Sequence, residues 1–493
     1  MFVRCFHIVT EIMQGDGTIA GCFSVLGGYL IHLSYGYLYS LTNMVPYIMG
    51  YLITFIDPHI CVQTSVWFSA VTFAVYGIFM PLGGFLSRKI GYRPVLALSC
   101  LFLRLIKTTQ IDCKISGGVL LSYFTIQKTY VGVILTYSFL FGTGVGLGFS
   151  VTLAVAATWF PEHRGLVVGL VVSGYGMGSL VFSPIQTFLI NPNNVPVNNV
   201  TRQFDDPEIL NRLPHVFLVI GVILSVTQII GLILLRSKPK WNCEDDKIEI
   251  LDDSGSSDCE IMDDEVKFSN CSNAVDITPS RLFRHIDFYL LWLIELCNSI
   301  PLTLLTSSYK LFGQSFISDD KYLTIIVTMT AVFNASGRIL WGTIVDQFSY
   351  KIPFCIISLM WAILLLTFPY ISLTDGLTAK ILYCIWGIGG FLFLSSVSTV
   401  APAAIGSMFG CTNMAINYGI IACARAIGCP LCAFVLTFIS SENLYIVQFT
   451  ICGSASLVAF LLALWIDDHK IPKNLNCCSF CSKTCSHLRI QRK

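Results

Sequence analysis

Apolar residues run in blocks of about twenty or more along this chain, and short polar stretches separate them. The blocks lie at roughly 20–44, 63–86, 94–125, 130–157, 166–190 and 214–235, then at roughly 286–308, 320–344, 352–373, 379–403, 413–438 and 443–466. Each is long enough to cross a bilayer as a helix, which takes about 20 mostly apolar residues. Lipid offers no partner for backbone polar groups, so a helix satisfies them internally. The pattern predicts an all-α membrane protein with twelve transmembrane helices in two pseudo-symmetric six-helix bundles. The bundles are read at 20–235 and 286–466, with an N-terminus at 1–19, a linker at 236–285 and a tail at 467–493.

The third block is the exception. RPVLALSCLFL breaks into RLIKTTQIDCKI and then resumes as SGGVLLSYFTIQ. Arg104, Lys107, Asp112 and Lys114 are costly in lipid, each about 2.5–3.5 kcal/mol on insertion scales. Without residues of about 104–115 the two pieces would join into one ordinary span. The segment has the form of an insertion, of the kind an unspliced intron or a faulty gene model produces. If native, it breaks the span or makes it re-entrant. An RNA-level check of the junction separates these cases.

Composition agrees with a membrane class. Hydrophobic residues make up 54% and charged residues 12% of the 493, about half the charged share of an ordinary soluble domain. The net charge of +1 hides a segregation of charge into loops. Arg88, Lys89 and Arg93 follow the second span, His163 and Arg164 the fourth, and Arg236, Lys238 and Lys240 the sixth. Lys470, Lys473, Lys483, Arg489, Arg492 and Lys493 lie in the tail. With twelve spans these fall on one side, so the positive-inside rule predicts cytoplasmic termini and linker. The N-terminal stretch lacks the pattern of a removable signal peptide, which leaves the first span as the targeting signal. The plasma membrane is the default compartment.

The linker, with CEDD, DDSGSSD and MDDE, is too polar to bury a core and reads as a solvated connection. Regulation through Ser254, Ser256 or Ser257 is the sharper alternative. Asn199-Val200-Thr201, between spans 5 and 6, is a glycosylation sequon on the outer side, whereas Asn270-Cys271-Ser272 falls in the linker and would be silent. Most of the twenty cysteines sit in apolar runs (Cys100, Cys297, Cys384, Cys423, Cys432) and read as small buried hydrophobes. The tail cysteines Cys477, Cys478 and Cys481, with Cys485 and His487, suit lipidation or inertness better than a zinc site.

The halves carry related loops. Gly84, Arg88, Lys89, Gly91 and Arg93 follow span 2, and Gly342, Asp346, Gln347 and Lys351 follow span 8. Both resemble in spacing the major facilitator loop G-x-x-x-D-R/K-x-G-x-R/K, which implies that their charges lock helix ends on the cytoplasmic face. Arg88 stands where the acid belongs, so the first lock departs from the pattern. Such internal repetition is the signature of alternating-access transporters. Span 4 carries Gly142, Gly144, Gly146 and Gly148, followed by the loop WFPEHRGL, and span 5 reads GYGMGSLVFSP. Those glycines suit close helix packing first, and rocking second.

These motifs, together with FYLLWL, SSYKLFGQSFI, NASGRILWGTIVD and NYGIIACARAIG in the second half, resemble the oxalate/formate antiporter-like branch of the major facilitators, related to the monocarboxylate transporters. The likeness covers the chain apart from the linker, the tail and the interruption of span 3. It implies that Arg338 in span 8 binds substrate. Arg425 in span 11 is similar in role to a lysine near that place in the bacterial oxalate antiporter. A guanidinium suits a carboxylate, which it binds bidentately without losing its proton. Each arginine has a plainer alternative: Arg338 could join the cytoplasmic lock near Asp346, and Arg425 could snorkel or pair internally.

Other ionisable groups within spans are candidates by default. Glu295 in span 7 would pair with an arginine in the empty state or take up a coupling proton. Related monocarboxylate carriers have an acid one turn before the span 8 arginine, where this chain has Asn334. His32 in span 1 reads as a hydrogen-bonded structural residue first and a proton carrier second. Tyr39 and Tyr418, with Tyr35 and Tyr309, are expected to line the cavity.

No phosphate-binding loop, metalloprotease motif or nucleophile elbow is present. An ATP-driven pump and an enzyme are therefore not expected, and no cofactor, resident metal or nucleic-acid partner is implied. The expected partners are a small organic anion and the lipid bilayer; an accessory membrane protein is not legible. The expected function is secondary active transport of a monocarboxylate or small dicarboxylate, by exchange or proton symport. The alternatives are a transport-inactive receptor or scaffold, and a carrier of a neutral or zwitterionic solute.

Overall fold

The computed structural model describes residues 18–102, 118–160, 164–198, 201, 203–237, 277–347, 350–374, 376–410, 413–438 and 444–466. Among them every regular element is helical. Eleven helical runs are long and apolar enough to cross a membrane.

The first runs from Ile19 to Phe55 over 37 residues, well past the position where the apolar block of the sequence ends. It is interrupted at Gly36, which divides it into α1 (Thr18–Tyr35) and α2 (Tyr37–Phe55). α3 (Val66–Ile90) follows. The interrupted third block appears as two short helices, α4 (Tyr92–Phe102) and α5 (Gly118–Thr125), on either side of residues outside the described set. Neither could span alone. Placed end to end, helices of 11 and 8 residues would rise about 28 Å at 1.5 Å per residue, close to the ~30 Å of one hydrocarbon core. α6 (Phe141–Ala157) is preceded by a π-helical turn, Ile134–Leu140. α7 (Arg164–Ile190) and α8 (Leu213–Leu234) complete the first half.

The second half holds α9 (Ile286–Gln314), α10 (Asp320–Gln347) and α11 (Lys351–Thr367). α12 (Gly376–Leu394) leads through a 3-10 turn, Ser395–Ser398, into α13 (Val400–Phe409). α14 (Met414–Ala422) and α15 (Arg425–Phe438) form one broken span, and α16 (Leu444–Ala463) closes it. Residues just before α9 dock on this half: the Ile277 amide donates to the Phe409 carbonyl, and Asn413 and Asn417 donate to the Ile277 carbonyl.

Within the first half α1 packs on α7 and α8, and α3 on α6; within the second, α11 and α9 pack on α16, and α10 on α12. The halves meet where α7 lies on α10, α3 on α14 and α15, and α2 on α9. Small residues permit this. A Cβ on Gly176 would stand 2.9 Å from Ala335 Cα across the interface, and within the first half one on Gly178 would overlap the Gly36 backbone. Large apolar side chains such as Phe188, Ile233 and Val222 face outward, as a lipid-facing surface requires. The cysteines follow their apolar surroundings: Cys100, Cys297 and Cys432 are buried, Cys384 and Cys423 partly so, and all are free thiols.

Candidate functional site

Three broken spans bring polar groups to the middle of the protein. The break at Gly36 lies between His32 and Tyr39. The turn Ser395–Ser398 presents Ser398. The break at Cys423–Ala424 starts α15 at Arg425, with Tyr418 on the helix before it. Helix interruptions at membrane depth are tolerated where they are buried in protein or line a cavity, and transporters build central sites from them.

Arg338, on α10, is fully buried. Its Nε donates to Asn334 Oδ1 at 2.9 Å, its Nη1 to Ser398 Oγ and its Nη2 to Tyr39 Oη at 3.0 Å. The guanidinium also lies 5.0 Å from the Tyr175 ring centroid. All these partners are neutral, and among the described residues Arg338 has no acidic partner. A buried charge is normally paired. One turn before Arg338, the residue that meets its Nε is the neutral Asn334.

Arg425 differs. Its guanidinium forms an ion pair with Glu295 on α9, both side chains being buried, and lies 5.0 Å from the Tyr76 ring centroid. The two arginines share an aromatic wall. Tyr39 and Tyr175 rings are 4.9 Å apart, Tyr175 and Phe149 5.4 Å, Phe149 and Tyr76 5.4 Å, and His32 and Phe149 4.7 Å. Tyr175 and Tyr418 each lie within electrostatic reach of both guanidiniums. His32 Nδ1 donates to the Gly28 carbonyl at 3.1 Å, so the neutral ring keeps its lone pair on Nε2.

Several buried polar atoms here lack a hydrogen-bond partner among the described residues: His32 Nε2, Tyr175 Oη and Asn334 Nδ2. The hydroxyls of Tyr76 and Tyr418 abut Arg425 without completing a hydrogen bond of sound geometry. Orphaned polar groups of this kind are rare in folded interiors and mark a place where water or a ligand belongs. The arrangement gathers two guanidiniums and several unpartnered polar atoms around one aromatic wall.

A second buried cluster was not anticipated from the sequence. Lys310, near the end of α9, pairs with Asp320, at the start of α10, at 2.7 Å, both side chains fully buried. The first half wraps this pair. Tyr47 Oη donates to Asp320 Oδ2 at 2.5 Å and Asn191 Nδ2 to the same oxygen at 3.0 Å, while Lys310 Nζ donates to Asn43 Oδ1 at 2.7 Å. Thr187 and Thr324 hydroxyls meet at 3.0 Å. Lys310 lies in the SSYKLFGQSFI motif near the end of α9, so a lysine within a spanning helix was the available signal.

At the opposite end, nearest the linker, Arg88 Nη2 donates to Asn413 Oδ1 at 2.6 Å across the halves. Gly84 packs on α14 at Ala415, and Gly342 on the Gly165 carbonyl. Gly91 ends α3 with φ +84°, and Arg93 meets the Tyr92 hydroxyl at 3.2 Å. Lys351 opens α11. The side chain of Asp346 lies outside the described residues, as do Asn199, Cys477, Cys478, Cys481 and most of the linker. Tyr35 bonds Ser99 at 2.7 Å and Tyr309 stacks on Tyr383 at 4.7 Å.

A two-half helical bundle with broken spans around a central polar site is the architecture of a secondary membrane transporter. The profile of the Major Facilitator Superfamily matches residues 18–422, and the chain belongs to that family. It is a multi-pass membrane transporter and not an enzyme. The chain is 24% identical over 455 residues to apicoplast pyruvate carrier 1 of Toxoplasma gondii, covering 81% of this chain and 80% of the relative. It is 22% identical over 363 residues to the oxalate:formate antiporter of Oxalobacter formigenes, covering 72% and 75%. Monocarboxylate transporter 13 of Rattus norvegicus is 31% identical over 125 residues, a quarter of each chain. These relatives agree with the branch that the motifs resemble. Among solved structures, a D-xylose-proton symporter superposes with a TM-score of 0.61 at 15% identity, covering 92% of this chain and 98% of that one, a likeness of fold.

Proposed function

We propose that this protein carries small organic anions bearing a carboxylate, by alternating access. The observation that carries the reading is Arg338: a fully buried guanidinium at the half interface whose hydrogen bonds all go to neutral groups. A carboxylate arriving there replaces a neutral acceptor with a charged one and gains bidentate geometry. Tyr39, Tyr418, Tyr175 and His32 offer further donors and acceptors around it. Relatives named as pyruvate, oxalate:formate and monocarboxylate carriers support the same class.

The two ends supply the alternation. Tyr47, Asn191 and Asn43 bind the Lys310–Asp320 pair at one end, and Arg88 binds Asn413 at the other. Every one of these bonds joins the halves. Breaking one set while the other holds would open the site to one side at a time. Lys/Arg placement supports a cytoplasmic linker end, with both termini on that side, Asn199 glycosylated outside, Cys477, Cys478 and Cys481 available for lipidation, and the plasma membrane as the compartment. The pairing of Glu295 with Arg425 favours a charge-balancing role for Glu295 over proton carriage.

The test is uptake of labelled formate, pyruvate, lactate and oxalate into proteoliposomes, with and without a trans anion or a pH gradient. Saturable uptake, reduced at least ~100-fold in Arg338→Gln by loss of two charge-assisted hydrogen bonds, is the expected result. No anion uptake by folded, reconstituted protein would turn the reading toward a neutral or zwitterionic cargo, or toward a receptor or scaffold.

A further inference from the structure

The buried charged side chains among the described residues are Arg338, Arg425 and Lys310 against Glu295 and Asp320. Two ion pairs use four of these, and one positive charge, on Arg338, is left over. His32 adds none. Its Nδ1 is committed to the Gly28 carbonyl, and a proton on Nε2 would leave a buried donor unpaired beside a cation. The groups facing the site are therefore Arg338, Arg425, Glu295 and neutral hydroxyls, amide and imidazole.

We propose that Glu295 is a specificity-determining residue: by neutralising Arg425 it leaves a site that takes one negative charge, so the cargo is a monoanion and a dianion is excluded. The inference rests on the anion-site reading above. A monocarboxylate on Arg338 balances the buried charge. A second carboxylate would bring an unmatched charge into a buried site that already holds Glu295, where like charges repel and desolvation is uncompensated. The exclusion comes from repulsion as much as from attraction, which is how charge specificity is usually built. Arg425 sits ready as a second anion anchor, and only its partner withholds it. Removing the negative charge of Glu295 should convert the preference.

The test uses full-length protein in liposomes and two probes that are fully ionised at neutral pH, pyruvate as monoanion and oxalate as dianion. The unaltered protein is expected to take up pyruvate and to discriminate against oxalate. Glu295→Gln should move the oxalate-to-pyruvate uptake ratio toward oxalate by about tenfold or more, the scale of one buried charge-assisted contact. Glu295→Asp should keep the original ratio. A double variant, Glu295→Gln with Arg425→Gln, restores the charge balance without the pair and should again prefer pyruvate. That variant serves if the single one does not reach the membrane. An unchanged ratio in folded Glu295→Gln, loss of pyruvate uptake in a folded double variant, or oxalate preference in the unaltered protein would each overturn the role of Glu295 while leaving an anion carrier. Absence of uptake of both anions by the unaltered protein would fail the underlying reading itself.

Discussion

Replacing Tyr47 by Phe removes one hydroxyl from the buried cluster around Asp320 and leaves the ring that lies 4.9 Å from Lys310 Nζ in place. The lost bond is the 2.5 Å donation to Asp320 Oδ2, made by α2 of one half to α10 of the other. Hydrogen bonds to charged groups contribute about 1.5–3 kcal/mol net. In the proposed alternation this bond exists only while that end is closed, so its whole contribution falls on the open–closed equilibrium. The open fraction should rise by a factor of roughly 10–150. Asp320 keeps Lys310 and Asn191, so the variant should still fold.

The assay is alkylation of a reporter. Ser307 is buried on α9 one turn before Lys310 and bonds only within its own helix and to neighbouring Ser308. Ser307→Cys thus replaces a hydroxyl by a thiol with little disturbance. Labelling of protein in nanodiscs by a bulky polar maleimide, corrected for the native thiols, reports opening without assuming an orientation. Tyr47→Phe should accelerate it by at least tenfold. Unchanged or slower labelling would refute the claim that this bond holds the end shut.

The same cluster makes a stability prediction. Asp320→Asn strands a buried lysine and should lower thermal stability strongly, by about 3–5 kcal/mol, whereas Lys310→Met with Asp320→Asn should recover most of the loss in a detergent melting assay. Gly178→Ala forces a methyl into the Gly36 backbone; overpacking of this kind costs about 1–3 kcal/mol or more, visible as a lower melting temperature and reduced monodisperse yield. Asn199→Gln should remove a glycan and sharpen the band on a denaturing gel; no mobility change between glycosidase-treated and untreated unaltered protein would count against the proposed sidedness.

Hydropathy made the spans, their grouping and the all-helical class legible, because lipid imposes helix on any apolar block of that length. It fixed ends less well. The first span extends to Phe55 and the seventh to Gln314, since protein packing supports polar residues such as Asn43 and Lys310 that a lipid-facing helix would reject. Arg338, Arg425, Glu295 and His32 were legible as charged or ionisable groups in apolar helices. Their division of labour was not. Nothing in one-dimensional spacing says that Glu295 on α9 meets Arg425 on α15, or that Arg338 is left with Ser398 and Tyr39.

Sequence alone thus determined that this is a two-half helical membrane protein carrying intramembrane cations, because the free energy of burying polar groups in lipid is set residue by residue. Which cation stands open, which is neutralised, and which residues join the halves at each end was decided only by tertiary structure. Electrostatic pairing depends on distances of a few ångströms between helices far apart in the chain. Those distances follow from where small residues such as Gly36, Gly176 and Gly178 let the helices meet.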